Sequence, residues 1–236
     1  MTGLLIFARC AGFLFRAPGF SHPSVPSPVR AGLAVALASA IVPRVPHAPH
    51  IDGAAFLVAI LTEFFLGAAI GMTASLVYDG AYAGGRIVDD YVGVKAIAPS
   101  LQLVAPSGFG RIWSLAFTGG FFLSGAYRPA LVGLVRSFDR VPPGTPFHPE
   151  GWIAYTAAFA GTIVVVAAQI AGPAVAMAFV VQIALGVLSR VVPRFGSFTL
   201  TFPLAFAAAL VITVIGLPLV AVHAPTPILA VPMGPR

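Results

Sequence analysis

The stretch GAAFLVAILTEFFLGAAIGMTASLVY, residues 53–78, contains a single formal charge, and that charge is a carboxylate. Crossing a bilayer takes about 20 apolar residues in a helix, so the segment is long enough to span. Glu63, Gly67 and Gly71 are spaced i, i+4, i+8 and fall on one face of that helix. GAAIG is a small-xxx-small pattern, which lets another helix come close. A carboxylate on the same face then points at that neighbour and not at lipid, where it would be costly. The reading expected first is a packing face with a locally hydrogen-bonded Glu63. A proton or ion relay and a contact with another subunit are the alternatives, although no second carboxylate lies deep in another apolar segment.

The whole chain shares this character. Of its 236 residues 58% are hydrophobic and 8% are charged, against about 25% charged in a soluble domain. Ionic groups cannot cover a water-facing surface at that density, so the chain is expected to be a membrane protein. The net charge of +6 arises from 13 basic and 7 acidic residues scattered between apolar segments. Without a basic stripe this points to loop positioning and anionic lipid, not to nucleic acid. Lys and Arg on alternate loops do not select an orientation. Cys10 is the lone cysteine and excludes an internal disulfide.

Proline and glycine, 22 and 25 of them, divide the rest. Residues 4–17 and 31–42 are short for spans, and PRVPHAP follows the second. Charged groups of both signs crowd residues 79–111, a fourth apolar segment runs over 112–135, and SFDRVPPGTPFHPEG (137–151) is a turn cluster. Residues 151–189 carry no formal charge, which suits two spans or one helix kinked at Pro173. Residues 195–222 form a last apolar stretch. The expectation is one membrane-embedded domain over 1–222 followed by a proline-rich tail, 223–236. The amino-terminal segment reads as a retained helix, because Arg9 interrupts it and no cleavage site follows. Irregular backbone at membrane depth survives only under protein cover, so the chain is expected to sit inside an assembly.

Few polar groups could carry chemistry. Asp89 and Asp90, near Arg86 and Lys95, form the densest charge cluster, but a magnesium site would need further acidic ligands. A paired-charge loop at the membrane surface is the expected reading. His47 and His50 flank Pro49, which precludes a regular helix there, and no third strong ligand accompanies them. There is no nucleophile elbow and no glycine-rich phosphate loop. No enzyme activity, cofactor or metal is expected. Gln182, Gly186 and Arg190 repeat the four-residue spacing and lead into LSRVVPRFGSFTLTFPL, 188–204. There Pro193 is expected to end a helix, Arg190 and Arg194 to find polar partners, and Pro203 to restart or bend the chain.

Four stretches in order resemble the bacterial type III export-gate family, which comprises flagellar biosynthesis protein FliR and the T component of virulence secretion systems. They are ARCAGFLFRAPGF with PSPVRAGLAVALASAIVP (8–43), EFFLGAAIGMTASLVYDGAYAGGRIVDDYVG (63–93), LSGAYRPALVGLVRSFDRVPPG (123–144) and IAGPAVAMAFVVQIALGVLSRVVPRFGSFTLTFPLAF (170–206). The last, with its Arg-x-x-Pro and Phe-Pro-Leu elements, is the most specific. The chain departs from the family at KAIAPSLQ, where an Asp-Pro is usual, and at Gly125-Ala126-Tyr127, where Gly-His is common; its first helix is short at its start.

The resemblance implies an all-α, multi-pass subunit of the bacterial inner membrane, with short broken helices and hairpins, built into a helical multi-subunit core. The flagellar basal body is one implied location. Implied partners are the P-type and Q-type membrane subunits, the large export-gate component, unfolded protein substrates and lipid. The loop after the third segment is implied to be a plug, with Gly93, Lys95, Pro99, Gln102, Pro106 and Gly108 as its gate residues. Subunit contacts are expected at Glu63, Gly67, Gly71, Asp89 and Asp90, and again at Gln182, Gly186, Arg190 and Pro193. A small secondary transporter coupled through Glu63 or Asp89 and Asp90 is the competing reading. A membrane enzyme using the two aspartates is a third.

Overall fold

The computed structural model describes residues 1–22, 25–51, 53–93, 108–145, 150–191 and 198–223. Among these the structure is all-helical, with no strand. The elements are α1 (Thr2–Arg16), α2 (Ser27–Ile41) with a 3-10 turn at Val42–Arg44, α3 (Gly53–Val92) and α4 (Gly108–Leu123). They continue with α5 (Tyr127–Arg140), α6 (Glu150–Val191) and α7 (Phe198–His223).

Local chemistry sets most of the boundaries. Pro26 caps α2 in an extended conformation and Pro28 sits in its first turn, where a missing N–H costs nothing. Gly93 ends α3 at φ +86°, a left-handed conformation that glycine adopts without penalty. Its N–H still donates to the Asp89 carbonyl at 3.2 Å. Gly125, at φ +75°, makes the turn between α4 and α5. Pro129 is tolerated because it is the third residue of α5, ahead of the first full set of helical bonds.

Several apolar segments run further than their composition suggested. The third continues through the charged residues Asp79, Arg86, Asp89 and Asp90 to make a 40-residue helix. The fourth is two helices, separated at Ser124–Ala126. The fifth is one 42-residue helix with Pro173 inside it, not two spans. In α7, Pro203 falls within the helix instead of starting it. Among the described residues α3 and α6 are long and apolar enough to cross a membrane.

The described chain forms two compact units. The first comprises Met1–Leu76 and Phe121–Ala160, the second Val77–Gly120 and Gly161–Pro225. In the first, α2 packs on α1, and α1 packs on α3 with almost no space between the backbones. A Cβ on Gly12 would collide with the Phe64 carbonyl, and one on Gly67 with the Arg9 carbonyl. Gly71 meets the Phe13 carbonyl in the same way. In the second unit Val88 and Val92 of α3 and Phe109 of α4 pack with Ala171, Ala174 and Ala178 of α6 and Ala205 and Ala209 of α7.

Both long helices turn small residues inward and large apolar ones outward. Beside buried Gly67, Gly71 and Ala74, α3 exposes Leu57, Val58, Leu61 and Phe65, the last by 67%. Beside Ala167, Ala171, Ala174 and Ala178, α6 exposes Val164, Phe179, Val180, Ile183 and Val187. A soluble helix has the opposite pattern, so lipid or other protein must cover these outer faces.

Replacing Gly67 by Leu is expected to expel α1 from α3, since the collision is with backbone and overpacking costs about 1–3 kcal/mol or more. Gly119, where an added Cβ meets nothing within 4 Å, provides the control. Gly67→Leu should abolish accumulation of protease-resistant protein in membranes, and Gly119→Leu should leave it near the wild-type level.

Candidate functional site

Glu63 is 3% exposed and its partner is Arg9 of α1, which is 0% exposed. Arg9 Nε donates to Glu63 Oε2 at 2.6 Å. The rest of the guanidinium fork reaches the far end of α5: Nη1 donates to the Ser137 carbonyl at 3.0 Å and to Ser137 Oγ at 3.2 Å. Nη2 donates to the Val141 carbonyl at 2.9 Å. On the other carboxylate oxygen, Glu63 Oε1 accepts the Gly144 N–H at 3.0 Å. The Phe138 ring lies 4.2 Å from the guanidinium carbon, in cation–π contact.

This is a closed network. The last carbonyls of a helix lack intrahelical donors; Arg9 supplies one to the Val141 carbonyl and a second to the Ser137 carbonyl, which also accepts the Val141 N–H at 2.9 Å, while placing positive charge at the negative end of the α5 dipole. A planar fork with several fixed donors fits such a set of acceptors, which an ammonium would not. Glu63 balances the charge and holds the turn after α5. Sequence reasoning did not find Arg9 as the partner. The signal was present, because Arg9 is a lone cation in mid-helix and Glu63 the lone charge of residues 53–78, and buried opposite charges pair.

Of the readings open for Glu63, the structure shows the locally bonded one: both its oxygens are occupied within the chain. Gly67 and Gly71 likewise meet α1 of the same chain. The physical reason is proximity: the glycines bring α1 within backbone contact, and the cation it carries arrives with it. The transporter reading loses Glu63 as a free coupling group for the same reason.

A second polar point lies in the other unit. Asp89 is 3% exposed, and its Oδ1 accepts the Phe109 N–H at 3.2 Å. Phe109 is the second residue of α4, so Asp89 does for α4 what a capping side chain ordinarily does from within the helix. Gly85, one turn earlier, touches the Phe109–Gly110 backbone so closely that a Cβ there would collide. Asp90 is exposed, so adjacency in sequence did not place the two aspartates together. Among the described residues no group of His, Cys, Asp or Glu could hold a metal ion.

The remaining expected residues divide clearly. Gly93 closes α3 and Gly108 opens α4, whereas Lys95, Pro99, Gln102 and Pro106 lie outside the described residues. Gln182 is half-buried, while Gly186 and Arg190 are exposed near the end of α6. An added Cβ on Gly186 would meet nothing within 4 Å. Pro193, Arg194 and residues 224–236 also lie outside the described residues.

A family model of bacterial export proteins, family 1, matches residues 1–227. The chain belongs to this family. It is similar to flagellar biosynthetic protein FliR of Aquifex aeolicus, 27% identical over 238 residues, covering 94% of this chain and 87% of that protein. It is 26% identical to FliR of Bacillus subtilis over 220 residues, covering 90% and 84% of the two chains. Yop proteins translocation protein T of Yersinia pestis is 28% identical over 198 residues, covering 79% and 74%. As a member of the family, the chain is a component of a flagellar or type III export apparatus. Both buried polar points fall within the matched region, as do both long apolar helices.

Arg9→Leu strands a buried carboxylate together with the Val141 carbonyl. It is expected to destabilise the chain by about 3–5 kcal/mol. Arg9→Leu with Glu63→Leu should cost less than Arg9→Leu alone, because no unpaired charge is then left buried. Thermal unfolding of the detergent-solubilised protein, compared between the single and double variants, checks both statements.

Proposed function

We propose that this protein forms part of the entrance to a type III export channel and carries the segment that closes it. Membership of the bacterial export family over residues 1–227 carries the reading. The similarity to FliR proteins and to a Yop translocation protein extends over most of each chain and supports it. The function is gated passage of unfolded protein, with no bond chemistry in this subunit. The protein is a multi-pass protein of the bacterial inner membrane and, in a flagellar system, part of the basal body.

Closure is assigned to residues 93–110, the segment between α3 and α4, which is rich in glycine, proline and serine. Its two described ends support this assignment: Gly93 stops one helix in a left-handed conformation, and the first turn of the next helix is fastened to Asp89. The neighbours are the P-type and Q-type membrane subunits and the large export-gate component. The exposed apolar faces of α3 and α6, with Gly186 and Arg190 beside them, leave surface for such neighbours and for lipid. Gln182 and Pro193 belong to the same proposed contact, as does Asp90 on α3.

Deleting the segment 95–106 is expected to let the assembled complex form and to raise ion leakage across membranes that contain it, measured as dissipation of an imposed ion gradient. Leakage equal to that of the intact complex would rule out the closing role. Purification of the tagged protein from its native membrane should recover other membrane subunits in fixed proportion. Recovery as a homo-oligomer alone would favour the transporter reading.

A further inference from the structure

We propose that the outer face of α5, together with the turn before it, binds the headgroup layer of an anionic phospholipid membrane. The proposal is independent of the gate segment. Among the described helices α5 is the most amphipathic. Its inner side buries Ala130, Gly133, Leu134, Ser137 and Phe138, and from that side Ser137 and Phe138 contact Arg9. On the outer side Arg128, Val132, Arg136 and Arg140 are exposed and recur every four residues. They therefore share one stripe, about 18 Å long at the rise of an α-helix. Against these three arginines α5 carries one carboxylate, Asp139.

The turn before α5 adds an apolar tip. Phe122 and Leu123 end α4 exposed, Leu123 by 92%, and Gly125 at φ +75° reverses the chain after them. The Phe122 ring meets Phe20 edge-on with centroids 5.5 Å apart and lies 6.1 Å from the Tyr127 ring. Arg128 folds back over the turn, with its Nε 3.8 Å from where a Cβ on Gly125 would stand. Its guanidinium carbon is 5.8 Å from the Tyr127 ring centre. A cation is thus held where the apolar tip meets the basic stripe.

Charge complementarity and the order of polarity select the occupant together. Hydrocarbon would accept Phe122 and Leu123 but would exclude the charges of α5. Water would accept the charges and leave a nearly bare leucine beside an aromatic cluster. An acidic protein segment would match the charge and offer the tip nothing. The boundary between phosphates and acyl chains suits both parts. Aromatic rings concentrate at that level, arginine stems lie along apolar surface while their heads reach outward, and a guanidinium fork bonds phosphate oxygens in pairs. In the same unit Leu57, Val58, Leu61 and Phe65 form the exposed face of α3 without a charge, which makes that face the internal control.

The test uses the full-length protein in lipid nanodiscs. Cys10 is buried, so a fluorescent thiol label reports on a second cysteine introduced by Leu123→Cys, Val132→Cys or, as the control, Phe65→Cys. Phosphatidylglycerol and phosphatidylcholine carrying the same acyl-chain quencher show which lipid lies beside each label. The label at position 123 should be quenched by lipid. The label at position 132 should be quenched preferentially by phosphatidylglycerol, and the label at position 65 equally by both lipids. Arg128→Gln, Arg136→Gln and Arg140→Gln should each lower the preference at position 132 by up to about fivefold, the effect of one basic residue at an anionic surface. Raised salt should lower it as well, whereas Arg136→Lys should retain it. Equal quenching by the two lipids at position 132 would overturn the proposal, as would an undiminished preference when all three arginines are replaced by glutamine. A label at position 123 that no lipid quenches would overturn the insertion of the tip. Absence of lipid quenching at both positions, with both labels shielded in the complex purified from its native membrane, would overturn the proposal by assigning this face to another subunit.

Discussion

The pairing of Arg9 with Glu63 is the interaction on which the first unit depends. An isolated carboxylate or guanidinium at this depth would be excluded by its desolvation cost. Here each is paid for by the other, and the remaining donors and acceptors are used on backbone groups at the end of α5 and in the turn after it. One residue on α1 thus sets the position of α3, of the α5 terminus and of the turn that follows. The arrangement stabilises less by net energy than by excluding alternatives. Moving any one of the three elements strands a charge or a carbonyl.

Close backbone approach is the second constraint. Gly12 and Gly67 let α1 and α3 touch, and without that contact the guanidinium fork would not span from Glu63 to Ser137 and Val141. In the second unit Gly85 and the alanines of α6 and α7 do the corresponding work around Phe109 and Asp89. Packing small residues inward leaves the large apolar side chains outside, as Leu57, Phe65, Phe179 and Ile183 are. Among the described residues both long helices thus present apolar faces outward, which agrees with a place in a membrane export apparatus made of several subunits.

Much of the site was visible as residue types and little of it as pairings. The Glu63–Gly67–Gly71 face announces a close helix neighbour, but its spacing cannot say whether that neighbour is in the same chain. Asp89 and Asp90 look equivalent as adjacent carboxylates; a helical rotation of about 100° between neighbours buries one and exposes the other. Arg9 was noticed as an interruption of an apolar segment and not as half of an ion pair. The acceptors that complete its environment are backbone carbonyls 128 and 132 residues away, and backbone groups carry no sequence signal.

By itself the sequence determined the membrane class, through its composition, and its lone cysteine excluded an internal disulfide. The all-helical content and the family came from the resemblance carried by four motifs in order, which are local runs of neighbouring residues. The sequence also indicated that glycines such as Gly67 and Gly71 mark close contacts. Only the tertiary structure decided that α3 and α6 continue through their charged or proline-bearing stretches, because helices of this length are held by packing along their sides and not by local propensity. Only it decided that Glu63 belongs to Arg9 and Asp89 to the Phe109 amide. Partners of buried polar groups are chosen by what the fold brings within about 3 Å, and that distance is set by helix crossings far apart in the chain.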